Sequence, residues 1–196
     1  MVENISKLIL ASASPRRRQL MADAGLKFTV LPSHVSETTK ETNPSKIVRE
    51  LALRKAIATA KKIKTGLVIG SDTIVVLKGE IIGKPENHEH AAQILGKLNG
   101  TWHKVYTGVA VVNAASGNKQ VASEMSRVKM RKLDAEEVRR FSRKHLDKAG
   151  AYAVQETGDR FVEKIVGDYT NVVGLPVSAL LRLLRLVGYK QKPHNR

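Results

Sequence analysis

Apolar residues recur along this chain in two rhythms, one near period two and one near three and a half, and the switches between them mark out the elements. Lys7 to Ala11 is a short apolar run, and Ser14-Pro15 follows as an N-cap with proline at the first helical position. Gly25 can close that helix. Phe28 to Leu31 reads as a second strand, after which Pro44 starts a helix to about Lys62 with Ile47, Leu51, Ala52 and Ala58 on its apolar stripe. Gly66 to Leu77 is the strongest strand signal, and Lys78-Gly79 can fold it back onto Glu80 to Ile82 as a hairpin. Asn87 caps a helix carrying Ala91, Ile94, Leu95 and Leu98, ended by Gly100.

In the second half, Val105, Thr107, Val109 and Val111 alternate along a strand from Trp102 to Ala114, and Ser116-Gly117 turns it toward a more polar strand near Lys119 to Leu133. Asp134 and Glu137 form a capping box for a helix that ends near Leu146. Two short strands are expected around Ala151 to Gln155 and Phe161 to Val166. Pro176 opens the last helix, with Val177, Leu180, Leu181, Leu184 and Val187 on its buried side. Strand-like and helix-like segments therefore alternate, which is the mark of an α/β or α+β architecture. One domain is expected over residues 1–188, with a basic tail at 189–196.

Composition narrows the function. No run approaches the roughly 18 apolar residues that a bilayer span needs, so no membrane attachment is expected. The N-terminus carries its positive charges after its apolar stretch, the reverse of a secretory signal, and there is no cysteine. A cytoplasmic location is the expectation. Lys and Arg number 34 against 18 Asp and Glu, a formal charge of +16, which attracts polyanions without choosing among nucleic acid, anionic membrane and nucleotide phosphates. Aromatic residues make up only 4% of the chain, which argues against a single-strand binder built on stacking platforms.

Four places break the apolar rhythms. In Ser12-Ala13-Ser14-Pro15-Arg16-Arg17 a strand delivers two hydroxyls and two guanidiniums to the positive end of a helix. That suits a phosphate group, although a plain Ser-Pro helix start with solvated arginines has the same sequence. Gly70-Ser71-Asp72-Thr73 sits inside the most hydrophobic strand, where an unpaired carboxylate costs several kcal/mol, so Asp72 should meet a metal ion, a basic group or a cleft. A capping Asp72 beside a bulge at Gly70 is the structural alternative. Lys55 continues the line of Ile47 and Leu51 at the edge of an apolar stripe, a position that a snorkelling lysine explains equally well. Lys84, before Pro85, reads as a loop lysine. Finally, four glycines punctuate Asp147 to Pro176, and Gln155 within that stretch has an amide able both to donate to and accept from a pyrimidine edge. GxxxxGK[ST], GxGxxG and HExxH patterns are absent, and the six histidines, including His88 and His90, read as polar surface residues.

Taken in order, SASPRR, SDT, GKP, KAGAYAVQ and NVVGLP resemble the Maf family over nearly the whole chain. The resemblance implies an α/β fold related to the inosine triphosphatases: a mixed twisted sheet flanked by helices, with two lobes around a nucleotide cleft. It further implies a homodimer in many members and metal-dependent release of pyrophosphate from nucleoside triphosphates, the metal being Mg2+, Mn2+ or Co2+. By the same resemblance Asp72 is the proton acceptor, and Ser12, Arg16, Arg17, Lys55, Thr73, Lys84 and Gln155 surround the nucleotide. Glu37 and Asp72 are the metal ligands it implies. Arg16, Thr73 and Gln155 fall where the family chooses its base, and the pattern resembles the branch acting on dTTP and UTP. Glu156 stands where glycine is usual, and Asp159-Arg160 is a charged version of the next turn. The rival readings are a nucleic-acid binder using Arg127 to Lys148, with nine basic residues against four acidic, and a cell-division regulator that keeps the fold without the activity. Nucleic-acid attraction is retained here only as a secondary property.

Overall fold

A computed structural model describes residues 7–144, 149–151 and 161–190. Its strands hydrogen-bond in the order β2-β1-β3-β5-β6-β7, with β4 on β3, giving a seven-stranded mixed sheet flanked by helices. β1 (Leu8–Leu10) pairs in parallel with both β2 (Phe28–Val30) and β3 (Leu67–Leu77). β4 (Glu80–Ile82) runs antiparallel to β3, and β7 (Val162–Val166) antiparallel to β6 (Lys119–Met130), with a register shift between Lys129 and Met130. β5 (Trp102–Asn113) and β6 are the two longest strands. The chain divides into two compact units, the first drawn from residues 7–72, 107–124 and 174–190, the second from 73–106, 125–144, 149–151 and 161–173.

In the first unit β1 and the first half of β3 are buried on both faces, which is why they read as unbroken apolar runs, while β2 at the sheet's edge is half-buried to exposed. Helix α1 (Pro15–Asp23) follows β1, and α2 (Pro44–Ala60) is capped by Asn43, whose Oδ1 accepts from the Ser45 and Lys46 amides at 3.0 and 3.2 Å. Two glycines fix how α2 lies on the sheet. A β-carbon on Gly70 would stand 2.2 Å from the Ala52 carbonyl oxygen, and one on Gly108 would stand 2.0 Å from that of Val48. The helix therefore rests backbone-close on β3 and β5, and small residues, Ala52, Ala56, Ala60, Ala11 and Ala110, fill the contact with Ile9, Val68 and Val112. The strand expected from Gly66 to Leu77 runs unbroken as β3 through Gly70-Ser71-Asp72-Thr73, and Gly70 serves this close approach rather than a bulge. Helix α6 (Val177–Leu186) closes the unit with Ala179, Leu180, Leu183 and Leu184 buried. Leu181, expected on the buried side, is half-buried, and Leu183 takes its place.

In the second unit, β5 and β6 alternate exposed and buried residues, because helices pack on one face only: Val105, Val128 and Met130 point to the core, while Trp102, Met125 and Arg127 are exposed. That core joins Val75, Leu77 and Ile82 to α3 (His88–Leu98) through Ala91, Ile94, Leu95 and Leu98. The rings of Phe141 and Phe161 meet in it at 4.4 Å between centroids. The capping box forms as expected: Asp134 accepts from the Glu137 amide at 2.8 Å and Glu137 from the Asp134 amide at 3.2 Å. Helix α4 (Ala135–Phe141) ends before the predicted limit at Leu146, which lies outside the described residues. The strand expected around Ala151 to Gln155 lies, beyond Ala151, outside the described residues; Ala149–Ala151 form a short turn in which Gly150 and Ala151 take left-handed conformations with φ of 77° and 56°. A short helix, α5 (Tyr169–Val173), was not anticipated. One histidine departs from the surface reading: His103 is buried on β5.

Candidate active site

The first unit gathers most of the singled-out polar residues around the start of α1 and the middle of β3. Ser12 follows β1, and its Oγ accepts from the Ser14 amide at 3.3 Å and from Arg17 Nη1 at 3.2 Å. Ser14 is the N-cap, accepting from the Arg17 amide at 3.5 Å. Arg17 Nε donates to the Gly174 carbonyl at 2.8 Å, so its guanidinium is held at both ends of its fork. Gly174 can offer that carbonyl because its φ is 123°, a conformation open to glycine. Ser71 Oγ lies 3.0 Å from the same carbonyl and 2.9 Å from that of Gly108. The hydroxyl before Asp72 thus stitches together the NVVGLP segment, β5 and the arginine.

Asp72 leaves β3 on the α2 side of the sheet and is buried, and Lys55 reaches it from α2 with 8% exposure. Lys55 Nζ donates to Asp72 Oδ1 at 2.6 Å and to Glu37 Oε1 at 2.6 Å, so one ammonium sits between two carboxylates. Glu37 is half-exposed, at 49% of its side chain, and the other two are nearly sealed, at 10% and 8%. The loop carrying Glu37 is pinned from α2 as well: Arg54 Nη1 donates to the carbonyls of Ser36 at 2.8 Å and Thr38 at 2.7 Å, one residue to either side. Glu50 holds that guanidinium and accepts from Thr39 Oγ1 at 2.6 Å.

The charges are close enough to act on one another. Burial depresses the Arg17 guanidinium most, Asp72 offsets part of that, Arg16 adds to the depression, and Glu37 counters it. Ser12, Arg16, Arg17, Glu37, Lys55 and Asp72 therefore form one cluster. Thr73 and Lys84 belong to the second unit, and Thr73, next along β3, points to the face opposite Asp72. Lys84 is exposed just after β4, and the Gly150 amide donates to the Gly83 carbonyl at 3.2 Å, so the GKP and KAGA segments meet. Gln155, Glu156, Asp159 and Arg160 lie outside the described residues.

Arg54, Ser71 and Gly174 escaped the sequence reading. Ser71 lies in SDT and Gly174 in NVVGLP, but nothing local reveals that one carbonyl serves two distant donors. Arg54 gave no signal, being an ordinary basic residue at i+4 from a glutamate.

Among the described residues no three Asp, Glu, His or Cys side chains come together as a metal site. Glu37 and Asp72 nevertheless converge on one cation, with their facing oxygens no more than about 5 Å apart, close to what a single divalent ion bridges through oxygen bonds of about 2.0–2.6 Å. Two carboxylates with phosphates and water supplying the rest is the usual way a hard ion is held beside a nucleotide. The donor set fits such an ion.

A protein of Pelotomaculum thermopropionicum named dTTP/UTP pyrophosphatase is 47% identical over 94% of this chain and 98% of its own length. One of the same name from Elusimicrobium minutum is 42% identical over 93% of this chain and 100% of its own. The solved Ham1 protein of Staphylococcus aureus superposes with a TM-score of 0.45 and 16% identity, over 63% of this chain and 71% of that one. The model of the Maf-like protein family matches residues 7–187, and this chain belongs to that family.

Proposed function

We propose that the chain hydrolyses nucleoside triphosphates between the α- and β-phosphates, dTTP and UTP foremost, releasing the nucleoside monophosphate and pyrophosphate. The relatives that carry the name dTTP/UTP pyrophosphatase align over nearly its whole length. The observation that carries the reading is the buried Asp72 carboxylate seated among Lys55, Arg17 and Glu37, at the cationic start of α1. In this reading Arg16 and Arg17 bind the triphosphate and Ser12 fixes Arg17, while Lys84 is assigned to the substrate on the family resemblance. Asp72 takes a proton from the attacking water, whose oxygen bonds to the α-phosphorus as the bond from that phosphorus to the α–β bridging oxygen breaks. The electron pair leaves with pyrophosphate, where the basic side chains stabilise it. Glu37 and Asp72 would hold a divalent ion, Mg2+, Mn2+ or Co2+, which when bound polarises a phosphoryl oxygen as a Lewis acid. Thr73 and Gln155 are assigned to base choice on the family resemblance, as are dimerisation and a cytoplasmic site of action.

The test is a screen of common and modified triphosphates, with Mg2+ and with chelator, scored for both pyrophosphate and monophosphate. The expected result is equimolar release of the two from dTTP and UTP, abolished by chelator. Release of inorganic phosphate instead, or no turnover of any triphosphate, would remove the proposal.

A further inference from the structure

One buried anion, one half-exposed anion and a buried cation between them make an incomplete account of the Lys55 cluster. The ammonium, 2.6 Å from each carboxylate, stands where an ion bridging Glu37 and Asp72 would have to stand. Two cations cannot share that position, and an ammonium forced off both carboxylates while nine-tenths buried would be left without countercharge, at a cost of several kcal/mol. It can leave only if another anion accepts it. A nucleotide's polyphosphate is that anion, drawn to the same cluster by Arg16 and Arg17.

We infer that Lys55 is an internal place-holder for the divalent ion: it neutralises Glu37 and Asp72 before substrate binds and yields them when a polyphosphate arrives to take its ammonium. This rests on the proposed metal-dependent reaction and adds to it a coupling residue. Because α2 lies backbone-close on Gly70 and Gly108, Lys55 cannot retreat with its helix, and the exchange is a swing of its four-carbon stem. Ion and nucleotide binding are then linked, each tightening the other by the same factor. An ion bound without substrate, which could expose water to Asp72 unproductively, is disfavoured.

Mn2+ binding followed by electron paramagnetic resonance, with no nucleotide present, tests the inference without using activity. Lys55→Met should tighten Mn2+ by about tenfold or more, whereas Lys55→Arg, which retains the charge, should not. Arg16→Met removes an equal charge from the same cluster and should change the affinity by less than about threefold. Adding an α,β-methylene triphosphate should tighten Mn2+ strongly in the wild type and much less in Lys55→Met. If Lys55→Met leaves nucleotide-free Mn2+ affinity unchanged or weaker while the wild type still releases pyrophosphate, the place-holder role is wrong and the reaction stands. If the wild type releases none, the reaction itself has failed. Should Lys55→Met not fold, the Lys55 ammonium resonance of the wild type decides: it should shift when Mg2+ and the analogue are added together, and a resonance unmoved by the pair overturns the inference.

Discussion

At the scale of single residues, the chain places a carboxylate where burial is expensive and then surrounds it with what makes burial tolerable. Burial of Asp72 in an apolar strand is tolerated because Lys55 donates to it at 2.6 Å and Arg17 stands near enough to feel its field. Asp72→Asn retains shape and hydrogen bonding but cannot accept a proton. It should lower pyrophosphate release by about 10²–10⁴-fold, the range that general-base catalysis contributes, with thermal unfolding checked by circular dichroism. Turnover near the wild-type rate would take Asp72 out of the mechanism. This residue was legible in the sequence because a lone acid inside an oily strand violates the pattern. Arg54 was not, since its role is to hold the carbonyls of Ser36 and Thr38 around Glu37 and so depends on how a loop folds over a helix. Lys55 lies between these cases: its spacing put it at the edge of a stripe, and only the structure distinguishes a buried ion pair from a snorkelling stem.

At the scale of elements, the fit of α2 onto the sheet sets the geometry of the cluster. The contact needs no side chain at two points, and in the sequence both glycines read as strand positions, Gly70 with a bulge as its alternative. Periodicity reports which residues are apolar, not how near two backbones come, so a glycine needed for close approach looks like one needed for a turn. Boundaries carried by caps were readable, as at Ser14, Asn43, Asn87 and Asp134, since a cap is a local hydrogen bond. The turn at Gly150-Ala151 was not, because its conformation is tied to the Gly83 carbonyl far along the chain. Gly70→Ala should be more disruptive than a helix-surface change of the same size. Its β-carbon would meet the Ala52 oxygen at 2.2 Å and the Ala56 nitrogen at 2.8 Å, backbone atoms that can yield only if α2 moves. A loss of roughly 1–3 kcal/mol in urea unfolding is expected, with activity falling further than the folded fraction accounts for as Lys55 shifts from Asp72. Unfolding and activity both matching the wild type would show that α2 floats freely above β3.

At the scale of the whole molecule, a formal charge of +16 opposes compaction, and acid makes this worse as carboxylates protonate. Against that background one buried base should stand out. His103 lies 2% exposed on β5, and burial pushes its imidazole from 6.5 down to about 4. Below about pH 6.5 the unfolded chain binds a proton that the folded chain refuses until about pH 4. The stability present above pH 6.5 is therefore lost progressively through that window and changes little more from this source below it. A depression of that size corresponds to roughly 3 kcal/mol between the two limits. Glu137 acts later: the hydrogen bond from Arg131 holds its carboxyl at about 2, so its contribution is present above about pH 4.5 and fades as pH falls toward 2. Urea unfolding at pH 7.5, 6.0, 5.0 and 4.5 should show the midpoint falling steadily. In His103→Leu the fall between pH 6.5 and 4.5 should be shallower, because only the wild type carries a base that titrates in one state and not the other. An unchanged slope in that variant would mean that His103 takes up its proton in the folded chain, and that the acid sensitivity of the molecule arises from its carboxylates alone.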